Sequence, residues 1–341
     1  MPTARENDET PHERNTIVTV PELKEPILAD VESARDRIRP WLPPTALRSY
    51  PALSALAGTE LFVKHENHQP IGAFKIRGGI NMLSRLSDEE RGRGVISAST
   101  GNHGQSIAYA AKLFGARAII TVPEGANPAK VDSMLALGAE VVFHGKDFDE
   151  AREEVERRAT AEGLRYIHSA NEPLLIAGVG TCALEIIEEE PDLDALIVPI
   201  GGGTGAAGAG LVIEGLSPRT KLIGVQAEEA PAARLSWKKG TLVEAPMTTK
   251  AEGLATRCAF ELTQGLLRKH LDDFVLVSEE EMSRAVRMLL EKTRNLAEPS
   301  GAASLAAALK LTDSLAGKKT GVILSGGNIS PGQLMNLLAS A

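Results

Sequence analysis

The fold and the chemistry of this chain are decided by residues 64–79, which read KHENHQPIGAFKIRGG. Residues 60–64 predict a strand, and residues 71–86 predict a helix whose start carries Phe74 and Lys75. The positive end of the helix dipole and burial both disfavour a charged amine at this place. The pattern therefore predicts a lysine with a lowered pKa that can act as a nucleophile.

Two later motifs lie directly after a predicted strand and before a predicted helix, where ligands bind in parallel α/β sheets. Residues 99–105 read STGNHGQ and follow a predicted strand at residues 95–98. Residues 201–205 read GGGTG and follow a predicted strand at residues 195–200. Backbone amides at the start of a helix bind anions, so both motifs are candidate anion sites.

Strands and helices alternate along most of the chain, which predicts an α/β fold with mostly parallel sheets flanked by helices. The alternation predicts a small lobe at residues 92–168. Residues 1–91 and 169–341 are predicted to form a larger, discontinuous lobe. Residues 1–26 are polar and charged, and they predict a mobile arm.

Together, the three motifs supply the groups that a pyridoxal phosphate (PLP) site needs. A lysine amine forms a Schiff base with the aldehyde of the cofactor. The side chain of Asn102 can donate a hydrogen bond to the ring hydroxyl, and glycine amides can hold the phosphate. The amides and hydroxyls of residues 99–103 form a candidate site for a substrate carboxylate.

In this order, the three motifs resemble the two-lobed fold-type II PLP enzymes, which are similar to tryptophan synthase β. Within that group they resemble the serine/threonine dehydratases (threonine ammonia-lyases) and serine racemases, from about Leu61 to the turn at residues 325–328. Residues 66–69, 72–75 and 99–102 are most similar to the ectoine- and hydroxyectoine-utilisation dehydratases. The resemblance implies a homodimer. It also implies β-elimination of a small β-hydroxy amino acid, such as L-threonine or L-serine, to a 2-keto acid and ammonia.

The resemblance also implies roles for individual residues. Lys75 would be the catalytic base, and Thr100 a second proton donor or acceptor on the opposite face. The predicted cofactor-binding residues are Phe74, Lys75, Asn102, Gly201, Gly202, Gly203, Thr204, Gly205, Gly253 and Ser325. The predicted contacts of the substrate carboxylate are Ser99, Thr100, Gly101, Asn102 and His103.

Two other activities fit parts of the sequence. The hydroxyl of Thr100 is compatible with an amino-acid racemase. Residues 203–208 also match the dinucleotide pattern G-x-G-x-x-G, with Glu228 about 20 residues further on. A nicotinamide-dependent oxidoreductase would leave Lys75 and Asn102 without a role, so PLP is the predicted cofactor.

The sequence predicts no metal site. By the resemblance, relatives that bind a divalent cation carry carboxylates where this chain has Gln226 and Ala232. The loss of two carboxylates weakens any site for a hard cation.

Composition excludes several other classes of partner. The formal net charge of −8 argues against a nucleic-acid-binding surface, which normally carries a basic excess. The uncharged residues 195–213 include Pro199 and a glycine cluster, so they predict a buried strand, loop and helix and no membrane span. The two cysteines, Cys182 and Cys258, fit no disulfide framework, and we find no secretory leader. These observations predict a cytoplasmic protein with a small-molecule substrate.

Overall fold

The structure is a computed structural model that describes residues 24–146 and 148–339. Most of the arm predicted at residues 1–26 lies outside the described residues. The described chain forms ten strands: β1 (Leu47–Ser49), β2 (Glu60–His65), β3 (Val95–Ala98), β4 (Ala118–Val122), β5 (Glu140–Phe143), β6 (Arg165–Tyr166), β7 (Ala195–Pro199), β8 (Lys221–Ala227), β9 (Asp273–Val277) and β10 (Lys319–Leu324).

The same residues form fifteen α-helices: α1 (Leu28–Ile38), α2 (Pro51–Ala57), α3 (Lys75–Leu83), α4 (Asp88–Arg93), α5 (Asn102–Phe114), α6 (Pro128–Ala136), α7 (Phe148–Glu162), α8 (Pro173–Glu189), α9 (Thr204–Leu216), α10 (Ala232–Lys239), α11 (Glu261–His270), α12 (Glu279–Thr293), α13 (Pro299–Lys310), α14 (Thr312–Leu315) and α15 (Pro331–Ala339). None of these described helices combines the length and the apolar character that a membrane crossing needs.

The strands form two separate sheets. The larger sheet has the order β1-β2-β10-β7-β8-β9, and every neighbouring pair in it is parallel except β1 with β2. The smaller sheet has the order β5-β4-β3-β6 and is parallel throughout. Parallel neighbours need crossover connections, and helices supply them here. The predicted α/β fold with mostly parallel sheets is confirmed.

The smaller sheet takes its strands from residues 95–166. These residues fall inside the small lobe predicted at residues 92–168. The larger sheet takes strands from both sides of that segment. The limits of the two lobes stay a prediction.

Close helix packing fixes the position of α3. This helix packs against α5 and α8, and α8 packs against α9. The crossing of α8 and α9 is tight, since a Cβ on Gly208 would lie 2.7 Å from the Cα of Gly180. The four helices are therefore packed in series, in the order α5, α3, α8 and α9.

Arg77 is the buried cation that ties α3 to its surroundings. Its Nε and Nη2 each lie 2.8 Å from a carboxylate oxygen of Glu66. Its Nη1 and Nη2 lie 2.6 and 2.7 Å from the carboxylate of Glu185 on α8. Lys64 on β2 completes the network, with Nζ 2.6 Å from Glu185. Burial raises the pKa of Glu66, but the charge and hydrogen bonds of Arg77 outweigh burial and lower that pKa to about 2.

Arg77→Met is expected to lower the free energy of unfolding by about 3–5 kcal/mol, because it removes the ion-pair partner of the buried Glu66 and leaves Glu185 with Lys64 alone. Urea unfolding followed by circular dichroism measures the loss. The matched control is Arg117→Met, which removes a surface pair with Glu140 whose two N–O distances are both 2.7 Å. The control should lose less than about 1 kcal/mol. Equal losses in the two variants would contradict the stabilising role of the buried network.

Candidate active site

A cavity of about 740 Å³ lies between the two sheets. Residues at the carboxyl ends of β3, β4, β7 and β10 line it, as expected for a ligand site in an α/β fold. All the residues predicted to form the site line this one cavity: Phe74, Lys75, Ser99, Thr100, Gly101, Asn102, His103, Gly201, Gly202, Gly203, Thr204, Gly205, Gly253 and Ser325. Their individual roles stay predictions.

Lys75 is the first residue of α3, and Phe74 is the N-cap. The helix start predicted at Ile71 is wrong, because Gly72 adopts a left-handed conformation with φ of 67° and the helix begins only after it. The amide of Phe74 donates to the carbonyl of Ser325 at 3.0 Å. The loop before α3 is therefore tied to the turn after β10, and this contact brings Lys75 and Ser325 into the same cavity.

The amine of Lys75 forms no ion pair with a carboxylate in the described part of the chain. Its Nζ donates a hydrogen bond to Thr204 Oγ1 at 2.9 Å, and it lies 5.4 Å from the centre of the Phe74 ring. Burial lowers the pKa of Lys75 to about 8. A fraction of the amine is therefore neutral and nucleophilic near neutral pH, as the sequence predicts.

Glycines form a cradle at the start of α9. Gly203 is the N-cap of this helix, with φ of 89°. A Cβ on Gly201 would overlap the carbonyl oxygen of Gly253, and a Cβ on Gly205 would lie 3.1 Å from the ring of Phe74. Because side chains are excluded here, the loop amides stay accessible to an anion, and the cradle fits a phosphate group.

Ser99 shapes the turn that precedes α5. Its hydroxyl oxygen accepts hydrogen bonds from the amides of Gly101 at 3.1 Å and Gly104 at 2.8 Å. Helix α5 begins at Asn102, directly after this turn. The first residues of this helix line the cavity, and its N-terminus suits a second anionic group, such as a substrate carboxylate.

The side-chain amide of Asn102 is held at both ends. Its Nδ2 donates to Glu298 Oε1 at 2.6 Å. Its Oδ1 accepts from Asn328 Nδ2 at 2.8 Å, and Asn328 also donates to the carbonyl of Ile71 at 2.8 Å. The amide is therefore fixed in the cavity wall, and its second N–H remains available to a ligand.

His103 makes its hydrogen bond inside the protein. The hydroxyl of Ser97 donates to the carbonyl of Ile167 at 2.7 Å, so it accepts from Nε2 of His103 at 2.9 Å. Burial lowers the pKa of His103 to about 3, so the ring is neutral. The neutral imidazole therefore supports the turn. Any contact of His103 with a substrate carboxylate would come from an uncharged group of this residue.

The sequence motifs do not include most of the charged side chains in the cavity wall. Lys130, Arg152, Glu252 and Arg257 all line the cavity. Lys130 Nζ lies 2.5 Å from Glu252 Oε2, and Arg152 forms an ion pair with Glu156 at 2.6 Å. Lys130 stands in the first turn of the helix after β4. Because ligands bind at the carboxyl ends of parallel strands, this position could have identified Lys130 as a site residue. No local signal marks the two arginines.

Gln226 and Ala232 stand where, by the resemblance, cation-binding relatives carry carboxylates. The side chain of Gln226 forms its hydrogen bonds within the protein. Gln226 Oε1 accepts from the amide of Arg234 at 3.2 Å, and Nε2 donates to Thr256 Oγ1 at 3.4 Å. Ala232 is the first residue of α10. Within the described residues, no group of three or more His, Cys, Asp or Glu residues is placed to hold a metal ion.

Comparisons with known proteins agree with this site. The family model for pyridoxal-phosphate dependent enzymes matches residues 38–326. The chain is 40% identical over 303 residues to L-threonine ammonia-lyase of Thermotoga maritima, covering 89% of this chain and 75% of that protein. It is 38% identical over 317 residues to L-threo-3-hydroxyaspartate ammonia-lyase of Saccharomyces cerevisiae, covering 92% and 97%. The structure of maize serine racemase matches with a TM-score of 0.88 and 32% identity, covering 93% and 98%.

These similarities confirm the predicted relationship to the threonine ammonia-lyases and serine racemases. The narrower resemblance to the ectoine-utilisation dehydratases stays a prediction. The nicotinamide alternative is set aside, because residues 203–208 lie inside the region that the PLP-enzyme model matches. The chain belongs to the pyridoxal-phosphate dependent enzyme family and, within it, groups with the ammonia-lyases.

Proposed function

We propose that this enzyme converts a small β-hydroxy amino acid, such as L-threonine or L-serine, into a 2-keto acid and ammonia. The Cα–H and Cβ–O bonds break and water leaves. The enamine that remains then takes up water and releases ammonia, so the net reaction consumes no further reactant. The observation that supports this proposal most is the Lys75 amine, which has a lowered pKa and lies beside the glycine cradle.

Residues from several sides of the cavity would hold PLP. When bound, PLP supplies an electron-withdrawing ring that stabilises negative charge at the substrate Cα. The amides of residues 201–205 would bind its phosphate. Asn102 would face the ring hydroxyl and Ser325 the ring nitrogen, while Phe74 and Gly253 would border the ring.

Side chains and backbone amides of this protein would carry out the remaining steps. In its neutral form, Lys75 Nζ accepts the proton from Cα, and the hydroxyl of Thr204 holds the amine in place. The amides at the start of α5 bind the substrate carboxylate, which limits the orientations that the Cα–H bond can take. Thr100 lines the same cavity, and a proton given by its hydroxyl to the opposite face of Cα would produce racemisation. Racemisation is therefore the competing outcome of the same site.

An acidic substrate is the second candidate, and two guanidinium groups favour it. Arg152 and Arg257 both line the cavity. Guanidinium groups bind carboxylates at two points, which makes arginine the usual partner of a substrate carboxylate. Hydroxyaspartate, which the yeast relative is named for, is a β-hydroxy amino acid with such a second carboxylate.

We also propose a cytoplasmic homodimer, which rests on the family resemblance and on the composition of the chain. Sedimentation of the purified protein would test the oligomeric state, and a single monomer boundary would reject the dimer.

Lys75→Ala is expected to abolish both keto-acid release and the visible absorption of bound PLP, because the amine forms the covalent link to the cofactor. The control Lys112→Ala, at an exposed position on α5, should retain both. In the wild type, the rate at which PLP-free protein captures added PLP should rise with pH and level off above about pH 8, since the pKa of Lys75 is about 8. Stopped-flow absorbance measures this rate. A rate that kept rising to about pH 10, as for an ordinary lysine, would contradict the lowered pKa.

Gly203→Ala is expected to weaken PLP binding by about tenfold, because its φ of 89° is strained for alanine and the loop must shift. Titration of PLP-free protein with PLP measures the dissociation constant. The control Gly240→Ala has a similar φ of 78°, follows α10 and has no neighbour within 4 Å of the new Cβ. It should leave the constant unchanged. Equal weakening in both variants would show that backbone strain, and not the cradle, controls binding.

Arg257→Leu separates neutral from acidic substrates. If the guanidinium groups bind a second carboxylate, kcat/KM for L-threo-3-hydroxyaspartate should fall by at least about tenfold, while kcat/KM for L-threonine should stay within about twofold. Arg284→Leu, at an exposed position on α12, is the control. Unchanged use of hydroxyaspartate by the Arg257 variant would reject Arg257 as the partner of a second carboxylate. Chiral analysis of the remaining substrate in the same assays shows whether Thr100 supports racemisation.

A further inference from the structure

The side chain of Lys130 lies in the cavity wall and contacts two carboxylates. It lies in the first turn of α6, which follows β4 of the smaller sheet. Its Nζ lies 2.5 Å from Glu252 Oε2 and 3.8 Å from Glu298 Oε2. Glu298 is the N-cap of α13, which packs on the larger sheet, and Glu252 lies in a short turn that packs against α13. The ammonium group on the side of the smaller sheet therefore contacts two carboxylates on the side of the larger sheet.

Glu298 connects this ion cluster to the site. It accepts the Nδ2 hydrogen bond of Asn102 at 2.6 Å through Oε1, while Oε2 faces Lys130. Asn328 holds the other end of the Asn102 amide. Asn102 is the residue that we propose contacts the PLP ring, and the inference below rests on that proposed role.

Contributions of opposite sign act on the pKa of Glu298. Burial raises the pKa of Glu298, and the charge of Glu252 raises it further. The charge of Lys130 and the hydrogen bond from Asn102 lower it, although the net shift remains upward. Among the described residues, Lys130 is the cation that acts on this carboxylate. Without it, two carboxylates would stand close together in a buried wall, and Glu298 would take up a proton.

Protonation of Glu298 would change the hydrogen bonding of Asn102. A carboxylate only accepts hydrogen bonds, so it selects the Nδ2 end of the amide. A protonated acid also donates, and it would compete with Asn328 for Oδ1 of Asn102. The amide would then lose the single orientation that the structure shows.

We propose that Lys130 is a positioning residue that keeps Glu298 ionised and thereby holds the amide of Asn102 in the orientation that binds the cofactor ring. Because Lys130 and the two carboxylates belong to different sheets, a movement that widens the cavity would separate them. Gly101 leaves room for this contact, since a Cβ there would lie 3.3 Å from Nζ of Lys130.

The test compares Lys130→Met with Lys310→Met, a surface lysine that also bridges two carboxylates. Lys310 Nζ lies 3.1 Å from Glu228 and 3.0 Å from Glu281. The dissociation constant of PLP, measured by titration of the PLP-free proteins, should rise about tenfold in the Lys130 variant. It should change less than about twofold in the Lys310 variant. Lys130→Arg should restore most of the binding, since it keeps the charge.

The melting temperature of the PLP-free proteins supplies a readout that does not depend on activity. A carboxyl group whose pKa is raised by folding stabilises the protein when protonated, and that stability is lost as pH rises through the folded pKa. The charged groups that act on Glu298 are Lys130 and Glu252. As pH rises above the usual pKa range of a glutamate, Lys130→Met should therefore show a steeper fall in melting temperature than the wild type. The double variant Lys130→Met/Glu298→Gln should not show it.

Three results would overturn the proposal. The first is a Lys130→Met protein that binds PLP as tightly as the Lys310 control. The second is a pH-dependent loss that persists in the Glu298→Gln background. The third is an Asn102→Ala protein with unchanged PLP affinity, which would also remove the proposed cofactor contact of Asn102. Weakened binding in Asn102→Ala without weakening in Lys130→Met would reject the positioning role alone.

Discussion

The Lys75 amine is partly buried and donates its hydrogen bond to a hydroxyl, not to a carboxylate. Removing an ammonium from water without a counter-charge disfavours its protonated form, so the burial that positions this amine also makes it nucleophilic. Two residues further along α3, Arg77 is buried between Glu66 and Glu185 and stays charged. The same helix therefore carries one cation that is fully paired and one that is not. Ion pairing holds the helix, and its absence activates the lysine.

The contrast between the ion-paired Arg77 and the Lys75 amine, which has no carboxylate partner among the described residues, requires that α3 and α9 keep their relative positions. Thr204 is the first residue of α9 and the partner of the Lys75 amine, so one residue connects the lysine to the phosphate cradle. The amine lies near the N-termini of both helices, and the positive ends of their dipoles further disfavour its charged form. Close approach of the backbone at Gly201 and Gly253 brings the cradle to this point. Geometry and electrostatics are thus set by the same contacts.

The sequence could predict the motifs of the site because each lies between a buried strand and a helix, a pattern that depends on neighbouring residues. It could not predict the start of α3, because the left-handed conformation of Gly72 depends on a distant contact. A Cβ on Gly72 would lie 2.7 Å from Oδ1 of Asn328. Helix α10 has no side-chain N-cap, so no local signal of that kind marks its start. Lys130 and Glu252 are separated by 122 residues, so no local pattern shows their pairing.

The distribution of charge also follows from what the cavity must bind. The chain carries a formal net charge of −8, yet Glu252 is the one acidic residue among the described lining residues, which include four basic ones: Lys75, Lys130, Arg152 and Arg257. His103 and His168 line the same cavity and stay neutral, because burial lowers their pKa values to about 3 and about 4. A positive cavity in a negative protein attracts the phosphate of the cofactor and the carboxylate of an amino acid.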